Sequence, residues 1–257
     1  MNPSDPRSRP NLFSFATSEL SQDAFLAYLL AWSDSAYQEI DPAMHGAAHR
    51  FLELLFAGHE ETLPEIHDLQ IHRQFKHADL LIVLNGNYAI LIEDKTYTAE
   101  HSGQLNKYKK EVEAAFPACK LLPVYYKIME HSNLQQVFAA GYLPVTRQQM
   151  IALMEGGPLP TNTIYLDYLH HLKTIQRRVS AYLTIPVTEW DHWATQGFFH
   201  TLQQELPGST WGYIPNASGG FFALWMHPFG NLPVYLQLED TTFCVRAVME
   251  IKKNGAS

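Results

Sequence analysis

The sequence predicts a mixed α/β fold, in which helices flank a sheet and a smaller β-rich lobe follows. Three observations predict it. Strand-like and helix-like runs alternate between residues 68 and 128, which requires a parallel strand reached through a helical crossover. The turn signal Asn85-Gly86-Asn87 separates two apolar runs and marks a hairpin. Beyond residue 206 the helical period stops, and four short strand-like runs follow, divided by breaks rich in Pro and Gly.

Taken in order, residues 1–16 read as a flexible arm, because Pro3, Pro6 and Pro10 among Ser4, Asp5 and Ser8 leave no period and no core face. A helix follows, capped by Ser18 or Ser21, with Asp23 suited to the positive end of its dipole. Its apolar face is Phe25, Leu26, Leu29, Leu30 and Trp32. A second helix runs from Pro42 to Ala57, with Ala47, Phe51, Leu54 and Leu55 inward. Strands are expected at Asp68–Phe75, Asp79–Leu84 and Tyr88–Asp94, then a helix at Ser102–Phe116 and a parallel strand at Leu121–Ile128. Helical patterns resume at Arg147–Met154, Ile164–Leu183 and Val187–Leu206. The final strands are Trp211–Ile214, Phe221–Met226, Pro233–Leu238 and Phe243–Glu250. The expected organisation is therefore an arm (1–16), a main domain with a helical extension (17–206) and a C-terminal β-meander lobe (207–257).

Composition bounds the function. With 257 residues, 46% hydrophobic and 17% charged, the chain buries a sizeable core without needing a disulfide or a structural metal. The balance of 18 basic against 26 acidic residues, net −8, excludes a protein coated in positive charge but leaves room for a local basic site. Cys119 and Cys244 stand far apart in no metal-like spacing and are expected to be reduced. The longest apolar run, Ala24 to Trp32, falls short of the ~20 residues a membrane span requires. The reading is a cytoplasmic protein with no membrane partner.

Chemistry concentrates between His77 and Lys95. Glu-x-Lys alone carries little, because 16 Glu and 10 Lys give roughly 0.6 matches by chance. Glu250-Ile251-Lys252 is such a second match. If Asn85, Gly86 and Asn87 form a three-residue hairpin loop, Asp79 faces Glu93 directly, and Lys95 lies two residues further on the same sheet face. Asp94 points to the other face. A two-residue loop would shift the register by one and separate these groups. Two carboxylates held together repel, and a hard cation such as Mg²⁺ relieves this, since it takes carboxylate, water and phosphate oxygens. Lys95 would then orient or deprotonate an attacking water, or offset charge on a phosphate.

Asp79, then Glu93-x-Lys95 on the next strand, then a helix bearing Gln104-Leu105-Asn106-Lys107-Tyr108, resembles the PD-(D/E)XK nuclease superfamily. The opening segment Glu19-Leu20-Ser21-Gln22-Asp23-Ala24-Phe25-Leu26 is similar to the first core helix of its prokaryotic members. Ala78 stands where the name-giving proline would precede Asp79. The resemblance covers about 110 residues and implies a restriction-endonuclease-like core of helix, three-strand meander, helix and strand. It implies Mg²⁺ or Mn²⁺ as cofactor, with Asp79 and Glu93 as metal ligands, the backbone carbonyl of Asp94 as a further one, and Lys95 as the catalytic lysine. Glu19 would be either a further metal-directed carboxylate or a helix-starting residue, while Asp23 reads as a first-turn carboxylate. Gln104 and Tyr108, one turn apart, would sit beside the site. The implied reaction is phosphodiester hydrolysis, with DNA as the partner.

A local basic island supports a nucleic-acid partner. Arg73, Lys76 and His77, with His72, lie near Asp79, and Lys107, Lys109 and Lys110 lie on the helix of Gln104. The rival reading is a binding module of the same fold without catalysis, for example a defence-system subunit, whose C-terminal lobe would dock a partner protein or a second copy. His45 and His49 have metal-capable spacing, but Gly46 and Ala47 occupy the place of a general-base Glu, which argues against zinc.

Overall fold

The structure is a computed structural model describing residues 9–95, 103–217, 219–226, 234–239 and 242–247. Two compact units emerge: Leu134–Gln176 with the chain before Glu130, and Glu130–Asn133 with the chain from Arg177 onward.

The first unit is built on a five-stranded mixed sheet, β1 (Leu69–Phe75), β2 (Ala78–Leu84), β3 (Tyr88–Lys95), β4 (Lys120–Lys127) and β5 (Leu143–Thr146), in that spatial order. β1, β2 and β3 pair antiparallel, whereas β3–β4 and β4–β5 pair parallel. The helices are α1 (Glu19–Ala31), α2 (Pro42–Gly58), α3 (Gln104–Ala115), α4 (Gln135–Ala139), α5 (Arg147–Glu155) and α6 (Thr163–Val179). α3 is the crossover that returns the chain parallel to β3. Leu81, Val83, Ala89, Leu91 and Tyr125 line the sheet face toward Leu105, Tyr108 and Val112 of α3. The alternate residues Leu80, Ile82, Ile90 and Ile92 are fully buried on the opposite face, where α1 lies against β1, β2 and β3.

The β2–β3 hairpin is fixed by its loop. Asn85 and Gly86 take left-handed conformations, with φ of 53° and 65°. The Asn85 side chain accepts from the His67 and Asp68 N–H groups at 2.8 and 3.0 Å, and donates to the Glu65 carbonyl at 2.7 Å. The pairs run from Leu84–Tyr88 to Leu80–Ile92, the register of a three-residue loop. Asn85→Ala removes all three bonds and leaves a β-carbon in a left-handed position. It is expected to destabilise the protein by about 1–2 kcal/mol, read as a lower urea midpoint.

The β1–β2 turn differs in character. Lys76 and His77 both take positive φ, 46° and 78°, as a two-residue hairpin turn of the primed type requires. Gln74, with φ of 53°, is passed over in the register between Arg73–Leu80 and Phe75–Ala78. The register is the same on both sides, so Gln74 falls opposite Asp79 with no residue inserted.

In the second unit, β6 (Thr210–Ile214), β7 (Phe221–Met226), β8 (Val234–Glu239) and β9 (Phe243–Ala247) form an antiparallel meander. Helix α7 (His192–Glu205) covers it, packing Phe198, Phe199, Leu202 and Leu206 against Trp211, Phe222 and Leu224. Gly197 allows α7 to approach Val179 closely, since a β-carbon there would stand 2.0 Å from the Val179 carbonyl oxygen.

Several expectations change. The helix at Val187–Leu206 is broken: a short 3-10 turn at Val187–Glu189 precedes Asp191, whose carboxylate caps α7 through the Trp193 and Ala194 N–H groups. The second compact unit takes in α7, whose aromatic face packs on the meander. The arm is docked in its described part: Leu12–Ser14 forms a 3-10 turn, Phe13 is buried, and Arg9, Asn11 and the Leu12 N–H all bind Asp167 of α6. β5 and α4 arise where no element was expected. Among the described residues no helix is long and apolar enough to cross a membrane, and Cys119 and Cys244 are both unpaired.

Candidate active site

The open end of the β2–β3 hairpin gathers the charged residues. Lys95 Nζ lies 2.7 Å from Glu93 Oε1, 3.8 Å from Asp79 Oδ2 and 4.0 Å from Glu19 Oε2. The Asp94 N–H donates to Asp79 Oδ2 at 2.9 Å, so the backbone of β3 orients the carboxylate on β2. From α3, Gln104 Nε2 donates to Glu93 Oε1 at 3.1 Å and lies 2.8 Å from the Tyr108 hydroxyl. Six residues singled out in the sequence therefore meet: Glu19, Asp79, Glu93, Lys95, Gln104 and Tyr108.

Burial makes this cluster electrostatically tense. Glu93 is 1% exposed. Desolvation, reinforced by the Asp79 charge, pushes its carboxyl up to about 7. Burial opposes the Lys95 ammonium, but Glu93, Asp79 and Glu19 outweigh it and hold Lys95 above the ordinary lysine value. Glu93 uses Oε1 for Lys95 and Gln104, while Oε2 is buried and has no hydrogen-bond partner among the described residues. A buried acceptor without a donor is costly.

Asp94 faces away from this cluster. Its Oδ1 accepts from Gln22 Nε2 of α1. Asp23 is also buried rather than solvated in a first turn, at 1% exposure, and its Oδ2 accepts from Gln74 Nε2 at 3.3 Å. Desolvation and the Asp79 charge push Asp23 up to about 7, against Arg73 and Lys95. Burial and the nearby Asp23 raise Asp94 as well. Sequence reasoning did not single out Gln22. The available signal was two polar side chains, one turn beyond Glu19, in a helix that is otherwise apolar from Phe25 onward. The parallel register also sets the buried Lys127 beside Lys95 on the same sheet face.

A family model described as PD-(D/E)XK nuclease superfamily matches residues 10–180. The chain belongs to that superfamily. The matched span contains the whole cluster and nearly all of the first unit. Neither a search of the curated proteins nor a search of the solved structures returned a match. PD-(D/E)XK nucleases use divalent metals in general, and the donor set here fits such an ion. Asp79 and Glu93 supply adjacent carboxylates, and Glu93 Oε2 has no hydrogen-bond partner among the described residues. Among the described residues no group of three or more His, Cys, Asp or Glu side chains is arranged to hold a metal ion.

The other candidates divide. Arg73, Lys76 and His77 are exposed on the strand and turn beside Asp79. Lys107 is exposed and lies 3.9 Å from Glu111. Lys109 is committed to the Ala140 carbonyl at 2.8 Å. His72 packs against the rings of Phe75 and Phe116 rather than facing solvent. His45 and His49 each bind a backbone carbonyl at the end of α1, of Trp32 at 2.8 Å and of Ser33 at 3.2 Å, which gives both a packing role. Glu250 and Lys252 lie outside the described residues.

Proposed function

We propose that this PD-(D/E)XK nuclease hydrolyses phosphodiester bonds in DNA with Mg²⁺ or Mn²⁺ as cofactor. The carrying observation is the divided use of Glu93, whose Oε1 is taken by Lys95 and Gln104 while its buried Oε2 has no partner among the described residues. Asp79 and Glu93, with the Asp94 backbone carbonyl, would hold the cation. When bound, a divalent cation supplies positive charge that acidifies water and polarises a phosphoryl oxygen. Lys95 keeps its proton and acts as a fixed cation that orients the attacking water and offsets charge growing on the phosphate. Gln104, held by Tyr108, keeps Glu93 turned so that one oxygen stays available. Glu19 adds a third carboxylate near Lys95. Arg73, Lys76, His77 and Lys107 would bind phosphates flanking the scissile one and place the strand.

A panel of single- and double-stranded DNA and RNA, incubated with Mg²⁺, Mn²⁺ or EDTA, tests this reading. Cleavage of DNA is expected with either metal and none with EDTA. Metal-independent cleavage, or none on any substrate, overturns it. The acidic body also predicts weak DNA binding without metal, falling steeply with salt. Tight binding in EDTA at 0.2 M salt would favour the non-catalytic module.

A further inference from the structure

On the far side of β3, a buried polar chain joins four elements. Gln22 is 4% exposed and uses both ends of its amide. Nε2 donates to Asp94 Oδ1, and Oε1 accepts from the Tyr168 hydroxyl of α6 at 3.3 Å. The Tyr168 and Tyr126 hydroxyls lie 2.8 Å apart, which extends the chain to β4. Tyr168 is itself fixed by stacking on Phe25 of α1, with ring centroids 3.7 Å apart. These groups lie at an interface otherwise packed with Phe25, Leu26, Leu29, Ile90 and Ile92, all buried, where apolar side chains would cost less.

The placement gives the chain a consequence at the site. Asp94 stands between Glu93 and Lys95. Anchoring its side chain on the far face fixes the rotation of β3, so that both neighbours project to the near face. Gln22 lies one turn beyond Glu19, so anchoring Gln22 also fixes where the first turn of α1 sits. Glu19 ends up 4.0 Å from Lys95. We propose that Gln22 is a positioning residue: its amide, oriented by Tyr168, ties α1 to Asp94 and so holds Glu19 against Lys95.

The kinetic arm of the test rests on the nuclease reading, whereas the structural arm does not. Gln22→Met keeps nearly the same volume and removes both hydrogen bonds. A crystal structure of this variant is expected to show Glu19 withdrawn from Lys95, beyond the wild-type 4.0 Å. Turnover on DNA with Mn²⁺ is expected to fall about tenfold with KM little changed, since misplacement of a charged group acts on the reaction more than on substrate capture. Glu19→Gln is expected to give a similar loss. The double variant should then lose about tenfold rather than a hundredfold, because the two residues act through one interaction. Tyr168→Phe, a milder change that frees the amide, carries the same comparison if Gln22→Met does not fold. Multiplicative losses, an inert Glu19→Gln, or a folded Gln22→Met with Glu19 in place and full turnover would each overturn the proposal. If the wild type cleaves nothing, the nuclease reading falls and the Glu19–Lys95 separation alone decides the positioning role.

Discussion

Lys95→Ala is expected to lower DNA cleavage by about 10²–10⁴-fold at saturating Mn²⁺ while leaving Mn²⁺ binding intact or tighter. The two halves have one cause. Lys95 is the cation that faces Glu93 at 2.7 Å, Asp79 at 3.8 Å and Glu19 at 4.0 Å. Those carboxylates hold its pKa above the ordinary lysine value, so the ammonium persists throughout the neutral range. Removing it takes positive charge from the reacting centre but makes the carboxylate pair more attractive to a divalent ion. Single-turnover kinetics and calorimetric titration with Mn²⁺ separate the two effects. Turnover within about threefold of wild type would remove Lys95 from the catalytic role. Lys95→Arg should recover only part of the loss, because the planar guanidinium cannot occupy the compact position of an ammonium between Glu93 and Asp79.

The Glu93–Lys95 part of this geometry was legible in the sequence because it is local. A three-residue loop at Asn85-Gly86-Asn87 fixes which residues of the next strand face which, and strand alternation carries that pairing outward to Asp79 and Glu93. The β1–β2 turn was harder to read. Lys76 and His77 occupy left-handed positions that sequence usually marks with Gly or Asn, as does Gln74 just before them. β5 is four residues long and contains Pro144, too short for alternation to register. The sequence period places the start of α7 too early, because the capping role of Asp191 competes with the apolar period running through Val187 and Trp190.

Partnerships across the chain were the least legible. Asp23 looked like a helix-dipole residue because nothing near it in sequence says that β1 supplies Gln74 and β3 supplies Asp94. Gln22 and Asp94 are 72 positions apart, and only the docking of α1 on the sheet makes them neighbours. Spacing shows which residues share a face of one element. It does not show which face of another element comes to meet them, and that is where this site keeps its buried acids.

Those acids set the last expected result. In metal-free protein, the Glu93 contribution to stability should fall as pH rises from about 4.5 to about 7, so the wild type should lose stability relative to Glu93→Gln across that window. An unfolded-chain Glu ionises near 4.5, whereas burial and Asp79 hold folded Glu93 protonated up to about 7. Below both values the folded and unfolded chains carry the same proton, and nothing is lost. Between them the unfolded chain releases its proton while the folded one keeps it, so each pH unit costs about 1.4 kcal/mol, or roughly 3 kcal/mol across the window. Asp23, also raised to about 7, acts in the same direction. Divalent metal reverses the trend, because it binds the ionised carboxylates and competes with the proton. Mn²⁺ affinity should therefore weaken by up to about tenfold per pH unit below 7, and cleavage should rise over the same range. Urea unfolding from pH 4.5 to 8, in EDTA and in Mn²⁺, measures both effects. A Glu93→Gln variant with an unchanged pH profile in EDTA would show that the proton sits elsewhere. One that still gained stability from Mn²⁺ as strongly as wild type would place the cation away from Glu93.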